Sequence, residues 1–243
     1  MVDSRENAAS LARELQAILG PRLRSVLLHG SVARGEAIAG VSDVNVLVLL
    51  DRVDPSALRL ISPLARRWAK AGNTPPMVLS WTEWQEASDA FAIEVADMCD
   101  ARVVLAGDDP VANLGDDLPA MRLQAERELR GKLVQLRTGL LLAAERPEEI
   151  GTLLLTALPS FTTYFRALLR LSGRDVPSST EATITDAAGT ARFDGEPFRR
   201  VWRARVERTA LKVPIDDPLT TGFVAGVARA TDYVDTLTEG RGA

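Results

Sequence analysis

Two short pairs of residues in the first third of the chain have the types and spacing that are typical of a phosphate site and of a metal site beside it. Gly30 and Ser31 follow the apolar run that ends at Leu28, and Arg34 comes one helical turn later. A glycine lets the backbone approach a ligand closely, and the N–H groups at the start of a following helix point outward. Ser31 adds a hydroxyl donor and Arg34 a cation. We therefore expect a phosphate-binding turn here.

The second pair is Asp43 and Asn45, which open the next apolar run. Side chains alternate along a strand, so Asp43 and Asn45 are expected on one face of the sheet and Val44 on the other. A carboxylate at a strand end, facing a phosphate-binding turn, places Mg²⁺ between a protein and a nucleotide. The amide oxygen of Asn45 can bind a hard cation, but a hydrogen bond from Asn45 to Asp43 or to the Gly30 turn is an equal alternative.

Alternating helices and strands are predicted around these residues in the first half of the chain. One predicted helix carries Ala8, Leu11, Leu15 and Ile18 on its inner face, and another, from Pro55 to Gly72, carries Leu58, Ile61, Ala65 and Trp68. A short third helix starts at Thr82. The predicted strands, which are short runs rich in branched residues, are residues 25–28, 44–50, 77–81 and 101–105.

The second half of the chain is predicted to be almost entirely helical. One helix has a seam of leucines, and the next is expected to kink at Pro159. Residues 178–194 are polar and poorly periodic, which indicates a loop with a short helix. Short connections favour an antiparallel bundle. The predicted fold class is α+β, with a small mixed sheet in a domain of residues 1–115 and a helical bundle in residues 116–243.

Composition excludes several classes of protein. The chain has 243 residues, of which 46% are hydrophobic and 26% charged, as in ordinary globular proteins. Its one cysteine, Cys99, excludes an intramolecular disulfide framework and a cysteine-based zinc site. The polar N-terminus and short apolar runs predict a cytoplasmic protein without a membrane partner. The net charge of −4 argues against a dedicated nucleic-acid binder, without excluding nucleic acid.

The glycine–serine pair, eleven further residues and then Asp43 resemble the signature of the polymerase-β-type nucleotidyltransferase superfamily. The likeness includes the aminoglycoside-modifying and minimal nucleotidyltransferases, which join a small mixed sheet to helices. It implies an enzyme that moves a nucleoside monophosphate from an NTP to a hydroxyl acceptor, using Mg²⁺ or, in its place, Mn²⁺. Gly30 and Ser31 would hold the β- and γ-phosphates, and Asp43 would bridge two metal ions. A homo-oligomer is compatible with this resemblance.

The chain departs from the family pattern at two of the three carboxylate positions. Asn45 stands at the second and brings no charge. The third belongs on a following strand, here residues 77–81, which contains no acid; Ser80 and Glu83 are nearest. Glu94 and Asp97, in the segment after this strand, are acids that could reach the third position. Glu94 is the candidate third acid and general base; the alternative is that it pairs with an arginine. The alternative hypothesis is therefore a catalytically degenerate nucleotidyltransferase fold that binds a nucleotide or a protein.

Three further signals have a structural and a functional interpretation. His29, the only histidine, stands where the family has an apolar or aromatic residue, so we interpret it as structural. Arg34 either contacts phosphate or pairs with Glu36 on the surface. The arginines of residues 199–208 form a solvated face, or pair across a domain interface, or line a cleft for an anionic substrate. The four tryptophans are expected in the core.

Overall fold

The computed structural model describes residues 4–38 and 42–237. The chain divides into two compact units, with the boundary between residues 116 and 117. The elements of the N-terminal unit are α1 (Ser4–Leu19), a 3₁₀ turn (Gly20–Arg22), β1 (Leu23–His29), α2 (Ser31–Arg34), β2 (Asn45–Leu50), α3 (Pro55–Lys70), β3 (Met77–Ser80), α4 (Trp81–Glu86), α5 (Ala92–Asp100) and β4 (Arg102–Gly107). All four predicted strands are present, each with shifted ends.

The four strands form one mixed sheet in the order β3-β2-β1-β4. β1 lies antiparallel to both β2 and β4, whereas β2 and β3 are parallel. In this register His29 at the end of β1 is opposite Asn45 at the start of β2. The end of the first strand and the beginning of the second are therefore neighbours at one edge of the sheet.

Alternating side chains divide the sheet into two apolar faces. Val26 and Leu28 of β1 pack with Val46 and Val48 of β2 and with helices α1 and α3. The residues between them, Leu27, Leu47 and Leu49, pack with Trp84 of α4 and with Val95 and Met98 of α5. Strand alternation thus assigns Asn45 to the face that α4 and α5 cover, as the sequence predicts for a residue in register with Leu47.

Two predicted helix seams are confirmed at some residues and wrong at others. In α3 the buried residues are Ala57, Ile61, Leu64 and Trp68, whereas Leu58 is 48% exposed. The cap at Asp54, whose side chain accepts a hydrogen bond from the Ala57 N–H, sets the start of this helix and turns Ala57 inward. In α1, Ile18 is 40% exposed and Leu19 is buried instead. The helix α5 had no counterpart among the predicted elements.

The C-terminal unit contains α6 (Leu118–Ala143), α7 (Pro147–Leu171), α8 (Thr180–Ala191), α9 (Glu196–Glu207) and α10 (Pro218–Thr236). The predicted leucine seam of α6 is buried, and α7 continues through Pro159. The short helix expected within residues 178–194 is present as α8, but it takes up most of the segment that was predicted as a loop. Ser179 caps this helix, and its inner face is small or apolar: Thr180, Thr183, Ile184, Ala187, Ala188 and Ala191. The predicted fold class is confirmed.

None of the helices in residues 4–38 and 42–237 combines the length and the apolar character that a membrane crossing requires.

Candidate functional site

The turn after β1 depends on a glycine. Gly30 has φ +75° and ψ −154°, a region that residues with a Cβ scarcely enter. A Cβ built at this position would lie 2.9 Å from Nδ2 of Asn45, closer than real Cβ contacts. The turn and the start of β2 are therefore in direct contact, and the absence of a side chain at position 30 permits it.

Gly30 leads into α2, a single helical turn that ends at Gly35. The Arg34 N–H donates to the Gly30 carbonyl at 3.1 Å, and the Glu36 N–H donates to the Ser31 carbonyl at 2.9 Å. No side chain caps the N-terminal end of α2. The N–H groups of this turn and the Ser31 hydroxyl could therefore donate to an anionic ligand.

Asp43 lies two residues before β2 and is exposed. Its carboxylate makes no hydrogen bond or ion pair with another described residue. The residue before it, Ser42, is held by two reciprocal bonds, in which the Ile38 N–H donates to the Ser42 hydroxyl and the Ser42 N–H to the Ile38 carbonyl, both at 2.9 Å. These bonds fix the point at which the chain enters β2, and Asp43 remains accessible to a cation.

Arg34 is a buried member of an ion cluster. Its Nη1 donates to Oδ1 of Asp97 on α5 at 2.7 Å, and both side chains are 10% exposed. Its Nε lies 3.9 Å from a carboxylate oxygen of Glu36, too far for a hydrogen bond, and is buried without a hydrogen-bond partner. The predicted pairing with Glu36 is present, but Arg34 is not on the surface. A phosphate would have to compete with Asp97 for Nη1 of this guanidinium.

His29 lies beside the same cluster and is uncharged at neutral pH. Burial lowers its pKa from 6.5 to about 4; the negative charge of Asp97 partly opposes this, and the positive charge of Arg34 adds to it. The predicted structural role of His29 fits a neutral imidazole packed at the end of β1.

The resemblance implies a third carboxylate near the end of β3, and in the structure a helix cap occupies this position. The Ser80 N–H donates to Glu83 at 2.7 Å, and the Glu83 N–H donates to the Ser80 hydroxyl at 3.1 Å. Hydrogen bonds to its carboxylate from the Ser80 backbone N–H and the Ser80 side chain hold the pKa of Glu83 below its usual value. Both polar side chains nearest to this position therefore serve the start of α4.

The remaining acids are on α5. Glu94 lies in the first turn of this helix, and Asp97, three residues later, holds Arg34. Across the described residues, no three His, Cys, Asp or Glu side chains are grouped so that they could hold a metal ion. The donor set at this edge, one carboxylate from Asp43 and one amide from Asn45, fits a single Mg²⁺ whose other ligands are phosphate oxygens and water. It does not fit two metal ions.

Sequence reasoning missed two contacts that hold the turn. Asp97 was considered as an acid but not as the partner of Arg34, and its helix, α5, was not predicted. Arg5 of α1 donates to the carbonyls of Val32 and Ala33 at 3.2 and 2.9 Å. Neither contact has a local signature, because the partners are 63 and about 28 residues apart.

The arginines of α9 are largely engaged within their own unit. Arg199 and Arg203 both pair with Glu196 on the same helix, and Arg205 donates to the Leu155 carbonyl at 3.0 Å. Pairs of this kind are typical of a solvated helix face. Of the tryptophans, Trp68 and Trp84 are buried, as expected for core residues.

The sequence matches no protein-family model and no curated protein. Among solved structures, the chain is similar to the spectinomycin adenyltransferase AAD(9) from Enterococcus faecialis, whose crystal structure includes ATP and spectinomycin. The likeness has a TM-score of 0.57 at 11% identity and covers 94% of this chain and 100% of that one. The chain has a nucleotidyltransferase-like fold. At this identity the likeness concerns the fold alone.

Proposed function

We propose that the N-terminal unit binds a nucleoside triphosphate together with one Mg²⁺ and acts as a nucleotide-binding module. The N–H groups of the Gly30 turn and the Ser31 hydroxyl bind the phosphates. Asp43 holds the metal ion, assisted by the amide oxygen of Asn45. Arg34, whose Nη1 is bonded to Asp97, contacts phosphate through its remaining N–H donors.

The observation that carries this proposal is the contact between Gly30 and Asn45. It brings the uncapped turn after β1 next to the strand that Asp43 opens. An accessible carboxylate beside an open set of N–H donors is complementary to a phosphate chain that carries Mg²⁺. Among the residues that the structure describes, no further carboxylates are grouped at this edge to hold a second metal ion, which favours binding over turnover.

Nucleotidyl transfer is the second candidate. It is supported by the likeness to an adenyltransferase whose structure includes ATP and spectinomycin. In this reaction the acceptor oxygen would bond to the α-phosphorus of the NTP, pyrophosphate would leave, and the hydroxyl proton would pass to a base. Glu94 is the candidate base. A hydroxyl-bearing small molecule or macromolecule would be the acceptor.

One set of assays separates the two functions. Each of the four common NTPs is tested by calorimetry with Mg²⁺ or Mn²⁺, and then as a labelled substrate for pyrophosphate release and self-labelling. We expect binding without pyrophosphate release for at least one NTP, and about tenfold weaker metal-dependent binding in Asp43→Ala. Pyrophosphate release that Asp43→Ala abolishes would instead establish transfer. If no NTP binds, the proposed function is wrong.

Asn45→Asp tests the metal placement. A second carboxylate two residues from Asp43 on the same strand face raises the local negative charge, so we expect about tenfold tighter Mg²⁺ binding by calorimetry. Asn73→Asp, a change of the same chemistry elsewhere in the unit, is the control and should leave Mg²⁺ affinity unchanged. An unchanged affinity in Asn45→Asp would contradict a metal site at this edge.

A further inference from the structure

The turn that leads from β1 into α2 cannot be stable through its own bonds. α2 has four residues, and a single helical turn is unfavourable in isolation because few hydrogen bonds compensate for the fixed dihedral angles. Its only fully buried side chain is Val32. The glycines at its two ends, Gly30 and Gly35, add conformational freedom to the unfolded chain. Other parts of the unit must therefore fix the shape of this turn.

Two arginine contacts fix the shape of this turn, one made by α1 at the start of the unit and the other made by α5 near its end. Arg5 of α1 donates to the last carbonyls of the turn, those of Val32 and Ala33. Arg34, the last residue of α2, reaches in the other direction to Asp97 of α5. Because α5 is packed on the sheet through Val95 and Met98, Asp97 is a firm attachment point.

The Arg34–Asp97 pair is costly for a purely stabilising contact. Both side chains are nine-tenths buried, and removing two charges from water offsets most of their attraction. An apolar pair of the same size would stabilise the fold about as well. A buried ion pair does set a geometry, because the planar guanidinium fixes both distance and direction.

The pair also decides what Asp97 can do. Its Oδ1 is 2.7 Å from Arg34, and Glu36 approaches the same guanidinium from the other side. The positive charge of Arg34 is thus compensated by two carboxylates, and Oδ1 of Asp97 is committed to this pair.

We propose that Asp97 is a positioning residue of the nucleotide site, which acts through Arg34 to hold residues 30–36 in the form that accepts the phosphate chain before the nucleotide arrives. This inference rests on the proposed function for the identity of the ligand. It assigns to Asp97 a role that differs from that of a third metal ligand, and the two roles give different responses to Mg²⁺.

The first experiment measures the turn without any nucleotide. Amide hydrogen exchange is followed by NMR in the wild type and in Asp97→Asn, which keeps the shape of the side chain and removes its charge. We expect the Arg34 and Glu36 amides to exchange at least about tenfold faster in the variant, whereas the amides of the β1–β2 ladder keep their protection. Asp108→Asn, which removes the partner of Arg24 in an exposed ion pair of the same unit, is the control and should change neither.

The result that overturns the proposal is unchanged exchange at Arg34 and Glu36, or an equal loss of protection throughout the unit, which is what a general stabilising role predicts. If Asp97→Asn does not fold, Arg34→Lys tests the same contact, because it keeps the positive charge and loses the planar geometry. Asp97→Glu restores the charge and should recover most of the protection at the two amides.

The second experiment measures ATP affinity by calorimetry, once with Mg²⁺ and once with a chelator. We expect Asp97→Asn to weaken ATP binding by about tenfold in both conditions, because a disordered turn must be fixed again on binding. A loss confined to the Mg²⁺ condition would make Asp97 a metal ligand, and an unchanged affinity would separate the turn from the ATP site; either outcome overturns the proposal. If the wild type binds no ATP, the proposed function fails for this nucleotide, while hydrogen exchange still decides whether Asp97 fixes the turn.

Discussion

The N-terminal unit contains two turns that lead from a strand directly into a helix, and they are held in opposite ways. At the end of β3, Ser80 and Glu83 form a reciprocal pair of hydrogen bonds that closes the N-terminus of α4. At the end of β1, Gly30 stands at the corresponding position and no side chain caps α2. The first of these turns satisfies two of its N–H groups, those of Ser80 and Glu83, with its own side chains, and the second has no such cap.

This difference separates a structural turn from a candidate binding turn. The Ser80 hydroxyl and the Glu83 carboxylate of the β3 turn both bond to backbone N–H groups within the same four residues, so these side chains are engaged in the cap. The β1 turn is fixed by distant residues, namely Arg5, Asn45 and Asp97, which contact its carbonyls, its glycine and its arginine. The N–H groups at the start of α2, which no side chain caps, therefore remain oriented toward a ligand. Support from a distance is what allows a rigid turn to keep its donors for a ligand.

The strongest way to break this comparison is to add a methyl group at the β1 turn. Gly30→Ala introduces a Cβ in a backbone region that disfavours it and 2.9 Å from Asn45. We expect a loss of about 3–4 kcal/mol in the free energy of unfolding, measured by urea denaturation, together with loss of ATP binding.

Gly35→Ala is the matched control for that substitution. Gly35 also has a positive φ, +80°, but a Cβ there would meet nothing within 4 Å. The cost should be about 1 kcal/mol, from the left-handed backbone alone. Equal losses for the two variants would mean that the contact with Asn45 contributes nothing.

The second prediction concerns pH and the buried histidine of the β1 turn. In the unfolded chain His29 takes up a proton near pH 6.5, whereas in the folded chain its pKa is about 4. Between these values the unfolded state binds more protons, so the free energy of unfolding falls as the pH is lowered. The full decrease from this residue is about 3 kcal/mol.

The measurement compares urea denaturation of the wild type with that of His29→Gln between pH 7 and pH 4. The variant has no group that titrates here, so its stability should fall less steeply through this window. Carboxylates titrate in both proteins at the lower end of the range and cancel in the difference. Parallel curves would show that His29 keeps its ordinary pKa in the folded chain.

Local patterns in the sequence were sufficient for the strands and for most helices. The runs around Leu27 and Leu47 alternate correctly between the two faces of the sheet, because period two is a property of the strand itself. Ile61 and Trp68 of the predicted α3 seam are buried, but Leu58 and Ala65 were predicted in place of Ala57 and Leu64, because several apolar residues compete there and the cap at Asp54 decides which of them turns inward. The extent of helix α8 was underestimated, because its buried face consists mostly of alanine and threonine, which hydrophobic periodicity detects poorly.

The candidate site was predictable only in part, because some of its contacts join residues that are far apart in the sequence. Gly30, Ser31, Asp43 and Asn45 lie close together in the sequence, so their spacing could be read directly, and their roles stay predictions. The attachment of Arg34 to Asp97 spans 63 residues, and no short-range pattern encodes it. An acid on an amphipathic segment after β3 was the one available signal, and it did not indicate which cation the acid would meet.

The smallest expected effect tests the β3 turn itself. Ser80→Ala removes the hydroxyl that accepts a hydrogen bond from the Glu83 N–H, so we expect a loss of about 1 kcal/mol in the free energy of unfolding by urea denaturation. ATP affinity should not change, because this turn is not part of the proposed nucleotide site. Ser31→Ala, at the corresponding turn after β1, should do the reverse, since the Ser31 hydroxyl bonds to no other described residue: its stability should stay within about 0.5 kcal/mol of the wild type while ATP binding weakens. A variant pair that behaved alike in both assays would remove the distinction between the two turns.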